Sequence, residues 1–194
     1  MTEQDARDQI LMTATAVFAE KGFAKTSMND IVRASGLSKG GVYWHFKSKS
    51  ELMTAIFVMY FAGQEAIMEA ALNGTGSPTE RLIQFARLAG SDLEAAISLF
   101  PAPMEFYALA AREDGLQNQL RTFYMAYLDN ISQLVQQGID SGEWKDISAR
   151  ETAVTIISLM EGVILLWSIY PEDIDVGSQM ETAVQLMLDG LAKI

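Results

Sequence analysis

The first proline of this chain is Pro78, and only four occur in 194 residues, beside 14 glycines. A chain so poor in helix breakers, with no stretch of alternating β-branched residues, is expected to be helical throughout. Hydrophobic residues make up 49% of the sequence and charged residues 20%, which is too apolar for disorder. The length suffices for a proper core. No cysteine is present, so disulfides, thiolate metal sites and a cysteine nucleophile are excluded, and His45 is the only histidine.

Capping residues divide the chain into nine or ten expected helices. The first runs over about 4–21, with Ile10, Leu11, Ala14, Val17 and Phe18 on one face and Arg7, Asp8, Thr15 and Lys21 away from it. Gly22 is its natural C-cap. Ser27 with Asp30 opens a very short second helix with Met28, Ile31 and Val32 inward. Ala34-Ser35-Gly36-Leu37 interrupts it, and a third short helix begins at Ser38. Ser48 to Glu51 caps a longer helix over 49–72, with Leu52, Ile56, Met59, Tyr60, Gly63, Ile67 and Ala71 on its packing side. Two short helices joined by a tight turn and supported by a first helix make a helix-turn-helix. Asn73 to Pro78 is the clearest break. Ser77, Pro78 and Glu80 then start a helix over 78–93. Further helices are expected near 103, over 115–140, over 148–169 and over 176–192. The fold class is therefore all-α. A helix-turn-helix head over 1–50 is joined through helix 49–72 to a larger helical lobe over 51–194.

Charge is segregated between these parts. Residues 1–50 carry a formal +2, and residues 51–194 carry −13. Within 23–49 stand Lys25, Arg33, Lys39, Lys47 and Lys49 against the single acid Asp30. A basic head on an acidic body points to a polyanion bound at one end. A solvated helical face with an accidental bias is the alternative that charge alone leaves open.

The residue types in this segment suit a duplex. Gly36 lies in the turn, where a residue without Cβ accepts φ > 0. Ser38 places a hydroxyl at the start of the third helix, and Lys39 reaches groove or backbone. Gly40 and Gly41 weaken a helix by ~1 kcal/mol each, which makes sense if backbone must approach DNA; Gly41 can equally relieve a helix–helix clash. Val42 and Phe46, four apart, are the core candidates of the third helix. Tyr43 is then free to meet phosphate or a thymine methyl. His45 can donate to phosphate or serve as a satisfied structural residue. Lys49 stands at a helix start, where the dipole disfavours a cation unless an anion is near, so it is expected on phosphate. Thr26 is expected at the opposite edge in the same role, or as an N-cap. Between Ser38 and Phe46 there is no Arg, Asn or Gln for bidentate base contacts. Specificity is then expected to rest on Lys39, Tyr43 and Arg33, on apolar contacts and on DNA shape.

The runs AxxxFAEKGFxxTSMxDI (14–31) and RASGLSKGGVYWHFKSKSEL (33–52) carry a resemblance. Residues 10–56 resemble the DNA-binding domain of the tetracycline-repressor-like (TetR) family of bacterial transcriptional regulators. Beyond residue 75 the resemblance lies only in the helix pattern. It implies a homodimer, double-stranded operator DNA as partner, a small-molecule pocket in the larger lobe and repression relieved by ligand. It also implies a backbone contact for Trp44, which could equally cover the seam with the first helix. No cofactor is implied.

In the lobe, helices 148–169 and 176–192 are apolar on more than one side. Leu159, Val163, Leu166, Val184 and Met187 are expected at a dimer interface. Aromatic residues and methionines concentrate between residues 57 and 127. Most simply they are core. The proline-interrupted element near 100–107 is a plausible irregular pocket wall, and Phe61, Phe85, Phe100, Met104, Tyr107 and Tyr124 are the candidate effector contacts. Glu65, Glu105 and Glu161 are possible counter-charges for a cationic effector.

Enzymatic function is disfavoured. There is no cysteine, no HExxH and no Gly-rich phosphate loop after a strand. A helical interaction domain without DNA binding leaves the basic segment unexplained. The polar, acidic opening MTEQDARDQI does not read as a signal peptide. The apolar run 154–167 falls short of the ~20 residues of a membrane span and contains Glu161. A cytoplasmic location without a membrane partner is expected.

Overall fold

The structure is a computed structural model describing residues 2–97 and 103–192, with the side chains of 94–97 and 103–106 outside the description. The described residues form nine α-helices: α1 Glu3–Lys21, α2 Met28–Ser35, α3 Lys39–His45, α4 Lys49–Asn73, α5 Pro78–Ile97, α6 Pro103–Ala110, α7 Asp114–Asp140, α8 Ala149–Ile169 and α9 Val176–Leu191. The one β-type pairing among them is an isolated bridge between Trp144 and Ala192.

The helix ends follow local chemistry. Thr2 and Asp5 form a capping box on α1, and Ser27 and Asp30 another on α2. Ser77 accepts from the N–H of Glu80, whose carboxylate accepts from the N–H of Ser77, with Pro78 first in α5. At α4 the pattern is shifted. Ser48 caps the N–H of Glu51, but the Glu51 carboxylate reaches back to the N–H of Lys47. Gly36 closes α2 at φ 67°, ψ 5°, the left-handed geometry that turns the chain into α3.

Two apolar cores result. In the head, Ile10, Leu11, Ala14, Val17 and Phe18 of α1 meet Ile31 of α2, Val42 of α3 and Phe46. Thr15, expected outside, is also buried, its hydroxyl returned to the carbonyl of Leu11. This core does not stop at residue 50. It takes Leu52, Met53, Ile56 and Phe57 from α4, and Ala110 and Leu116 from α6 and α7.

The lobe core joins Met68 of α4 to residues of α5, α7, α8 and α9, among them Leu82, Phe85, Ile131, Leu134, Ile156, Met160 and Met180. α5 and α9 cross where Gly90 faces Gly177, so closely that a Cβ on Gly90 would stand 2.6 Å from the Gly177 Cα. Trp144, between α7 and α8, lies on Gly138 and donates its indole N–H to the Thr79 hydroxyl at 2.9 Å.

The expected phase of α4 needs correction. Its buried residues are Leu52, Met53, Ile56, Phe57, Gln64 and Met68, whereas Met59 is 54% exposed and Gly63 faces solvent. The helix is apolar around most of its circumference, so periodicity selects no face. The packing partners decide instead. α4 and α8 are long and apolar enough to cross a membrane by composition. Here α4 spans the two cores, and α8 packs on α7 and α9.

Candidate DNA-binding surface and lobe hollow

α3 presents two opposed faces. Val42 and Phe46 are buried, while Lys39, Gly40, Tyr43, Trp44 and the following Lys47 occupy the other side at spacings of one and four. Trp44 is 71% exposed, the most exposed aromatic among the described residues, and it covers no seam with α1. Tyr43 and His45 are half-buried at the edges. Cations stand over the rings: Lys39 Nζ lies 5.7 Å from the Tyr43 centroid and Lys47 Nζ 6.0 Å from that of Trp44. Lys47 also donates to the carbonyls of Tyr43 and Trp44, closing the C-terminal end of α3.

The amino end of α3 is capped by Ser38, whose hydroxyl accepts from the N–H of Gly41 at 3.0 Å. Its own O–H hydrogen remains to be donated outward. A Cβ on Gly41 would stand 3.2 Å from the Ser38 hydroxyl, so this glycine protects the cap and not a helix–helix contact. Gly40 is exposed, with nothing within 4 Å of where a Cβ would be, and leaves bare backbone on the outer face.

Asp30 would oppose this positive face but is tied up. It accepts from Ser27, from Lys21 at 3.2 Å and from Arg33 at 2.7 Å. The Ser27 bonds, with Lys21 behind them, hold its carboxyl well below the usual carboxylate range. Lys21, outside the segment singled out by charge, is part of this arrangement.

Two expected contacts are corrected. Thr26 is 3% exposed, and its hydroxyl donates to the carbonyl of Gly22 at 2.8 Å. The N-cap is Ser27, so Thr26 ties down the α1–α2 loop instead of facing outward. Lys49 donates to the carbonyls of Phe23 at 2.6 Å, Ala24 at 3.2 Å and Thr26 at 3.0 Å, and lies 4.5 Å from the Phe23 centroid. The carbonyls of this loop supply the negative charge expected from phosphate. Lys49→Met is therefore expected to lower stability by about 2 kcal/mol, the worth of charged hydrogen bonds, in a thermal melt. The salt slope of DNA binding should not change. A slope smaller by ~0.9 for each head on the duplex, at unchanged stability, would put Lys49 on phosphate after all.

In the lobe, Tyr107 of α6 and Tyr124 of α7 donate to Glu161 of α8 at 2.5 and 2.6 Å, with 2.9 Å between the phenol oxygens. Burial first, and then the charge of Glu161, pushes both phenols above the usual tyrosine range. Phe61 stacks on Phe123 at 4.3 Å and lines an outer groove of about 380 Å³ between α4 and α7, with Glu65 on its rim. Phe85 is fully buried against Tyr127. Phe100 and the side chains of Met104 and Glu105 lie outside the described residues.

The candidate interface residues divide. Leu159 and Leu166 are exposed on α8, beside Val154, Leu165 and Ile169, and Leu186 is exposed on α9. Met187 is half-buried. Val163 and Val184 are corrected: both are buried in the core of the protomer, in the apolar cluster that α8 and α9 share with α5 and α7.

A basic, aromatic third helix on an all-helical two-part chain defines a helix-turn-helix regulator, and the relatives of this chain agree. The tetR family of bacterial regulatory proteins matches residues 10–56, and the BetI-type transcriptional repressor C-terminal region matches residues 78–193. The chain belongs to the TetR family of DNA-binding transcriptional regulators. It is similar to the HTH-type transcriptional regulator YfiR of Bacillus subtilis, 29% identical over 184 residues, covering 90% of this chain and 86% of YfiR. It is 24% identical over 196 residues to TtgR of Pseudomonas putida, covering 97% and 92%. A TetR transcriptional regulator from Chloroflexus aurantiacus superposes with a TM-score of 0.76 at 27% identity, over 96% of this chain and 94% of that one. SmeT, repressor of the Stenotrophomonas maltophilia multidrug efflux pump SmeDEF, shares the fold with a TM-score of 0.78 at 23% identity, over 96% and 90%.

Proposed function

We propose that the protein is a cytoplasmic repressor that binds a palindromic operator as a homodimer and is released by a small apolar or cationic effector held in its lobe. The observation that carries this reading is the outer face of α3, where Lys39, Tyr43 and Trp44 stand beside the bare backbone of Gly40 while Asp30 is neutralised. Ser38, Tyr43, Trp44 and His45 meet phosphate and sugar, and Lys39 reaches into the groove. One seven-residue helix reads too few base pairs alone. Two copies related by a twofold axis, joined through the exposed apolar faces of α8 and α9, would place two such helices one duplex turn apart. SmeT, a fold neighbour, has been solved with triclosan. That supports a small-molecule site in a lobe of this architecture.

Duplex binding against salt tests the reading. A phosphate-reading dimer gives a steep fall of log affinity with log salt, about −0.9 for each phosphate neutralised by a cationic side chain. A slope near zero would favour an interaction domain that does not bind DNA.

A further inference from the structure

Polar side chains from five helices converge at one place in the lobe. Glu161 of α8 holds Tyr107 and Tyr124, and its charge reaches Tyr60 of α4 and Tyr127 of α7. Asp92 of α5, bonded to Gln64 at 2.7 Å, adds a second negative charge felt by Tyr60. Glu161, Tyr60, Tyr107 and Tyr124 keep partial exposure although Phe85, Phe123, Tyr127 and Met160 around them are buried. The carboxylate and its phenols are therefore within reach of solvent at the edge of the core.

The proton count at this spot is one-sided. A phenol has one hydrogen, and Tyr107 and Tyr124 both direct theirs to Glu161. No hydrogen is left to bridge the two phenol oxygens, 2.9 Å apart. What Glu161 still offers a visitor is carboxylate lone pairs and a negative charge that its two phenol partners leave in place. Two phenols solvate a carboxylate without neutralising it, and even a half-buried charge without an ion-pair partner favours a cation beside it. The ion pairs among the described residues include neither Glu161 nor Asp92. The stretch 88–111 contains three acids and no Lys, Arg or His. Arg81, the buried arginine of the lobe, is committed to the Leu72 carbonyl and to Gln137.

We infer that this cluster takes an organic cation bearing N–H donors, a primary or secondary ammonium or an amidinium on an apolar body, with Glu161 as its anchor. This rests on the effector reading above and names its chemical class. A donor cation at Glu161 competes with the Tyr107 hydroxyl. Tyr107 also packs against the head core from the same helix that supplies Ala110 to it. Occupancy is thereby felt at the base of the head.

Calorimetric titration of the full-length protein with four probes sharing one body decides the matter: phenylbutylammonium, its N-trimethyl analogue, phenylbutanol and phenylbutyrate. The ammonium is expected to bind at least about tenfold more tightly than the alcohol, with the trimethyl analogue weaker than the ammonium and the carboxylate weakest. In Glu161→Gln, which removes the charge but keeps one acceptor oxygen, the preference of ammonium over alcohol should vanish. Tyr124→Phe should retain the preference. Alcohol binding as tightly as ammonium, no binding by any probe, or a preference surviving in Glu161→Gln would overturn the proposal. Tighter binding of the trimethyl analogue would overturn the N–H requirement. If Glu161→Gln does not fold, the four-probe series on the unsubstituted protein decides alone. Absence of salt-dependent DNA binding would sink the regulator reading, whereas the order of the four probe affinities tests the cation site by itself.

Discussion

Leu166→Asp is expected to convert the protein into a folded monomer of 21.4 kDa whose operator affinity is at least about 100-fold weaker. Leu166 is 51% exposed in the protomer, within the apolar surface made by Val154, Leu165 and Ile169 of α8 and Leu186 of α9. Nothing in the protomer covers this side chain fully, so an aspartate there costs the isolated fold little. Inside a symmetric contact the charge enters twice, and each copy is desolvated without a partner at several kcal/mol. DNA binding falls with dimerisation because a single head loses the second half-site. Light scattering at micromolar concentration checks the mass, and a variant that stays dimeric would move the interface to another face. Val163→Asp is the instructive contrast. Its site is interior, so it should unfold the protomer.

Gly90→Ala should destabilise the protein by about 3 kcal/mol, the upper end of what overpacking costs, lowering the melting temperature by roughly 6–12 °C for a chain of this size. The new Cβ would lie 2.6 Å from the Gly177 Cα and 3.0 Å from its nitrogen. Backbone cannot rotate away as a side chain can, so α5 and α9 must part and the core between them must loosen. Gly63→Ala, on the open side of α4 with nothing within 4 Å, is the control. It should stabilise by up to ~1 kcal/mol through helix propensity. Equal melting temperatures for the two variants would mean that the crossing is looser than the structure shows.

Much of the architecture is legible in the sequence. Helix starts are visible because caps are local: Ser27 with Asp30 and Ser77 with Glu80 identify themselves within four residues. The core face of α1 is visible because its outer face is largely polar. α4 defeats the same reasoning, being apolar nearly all round, and α8 and α9 defeat it at Val163 and Val184. Periodicity shows that a helix has two apolar sides but not which side meets its own chain. At the DNA face, the outward position of Tyr43 and the burial of Val42 and Phe46 follow from spacing. The role of Lys49 does not, since its three carbonyl partners lie 23 to 26 residues away and no pattern records them. A cation at a helix start does need negative charge nearby, but here carbonyl oxygens meet the need and phosphate does not. Trp144 gives no sign in the sequence because its pocket is made by an absence, the missing side chain of Gly138.

The head owes part of its interior to the lobe. Ala110 and Leu116, contributed by the end of α6 and the first turn of α7, close a core that is otherwise built from residues 10–57. The reading head of this regulator is therefore not a detachable cartridge. Grafted onto another body it would carry an uncovered apolar floor, and a foreign head set on this body would have to fit Ala110 and Leu116. Sequence change at the base of the head and in the α6–α7 corner is thus bound together, so operator preference can drift freely on the outer face of α3 while the underside keeps step with the lobe.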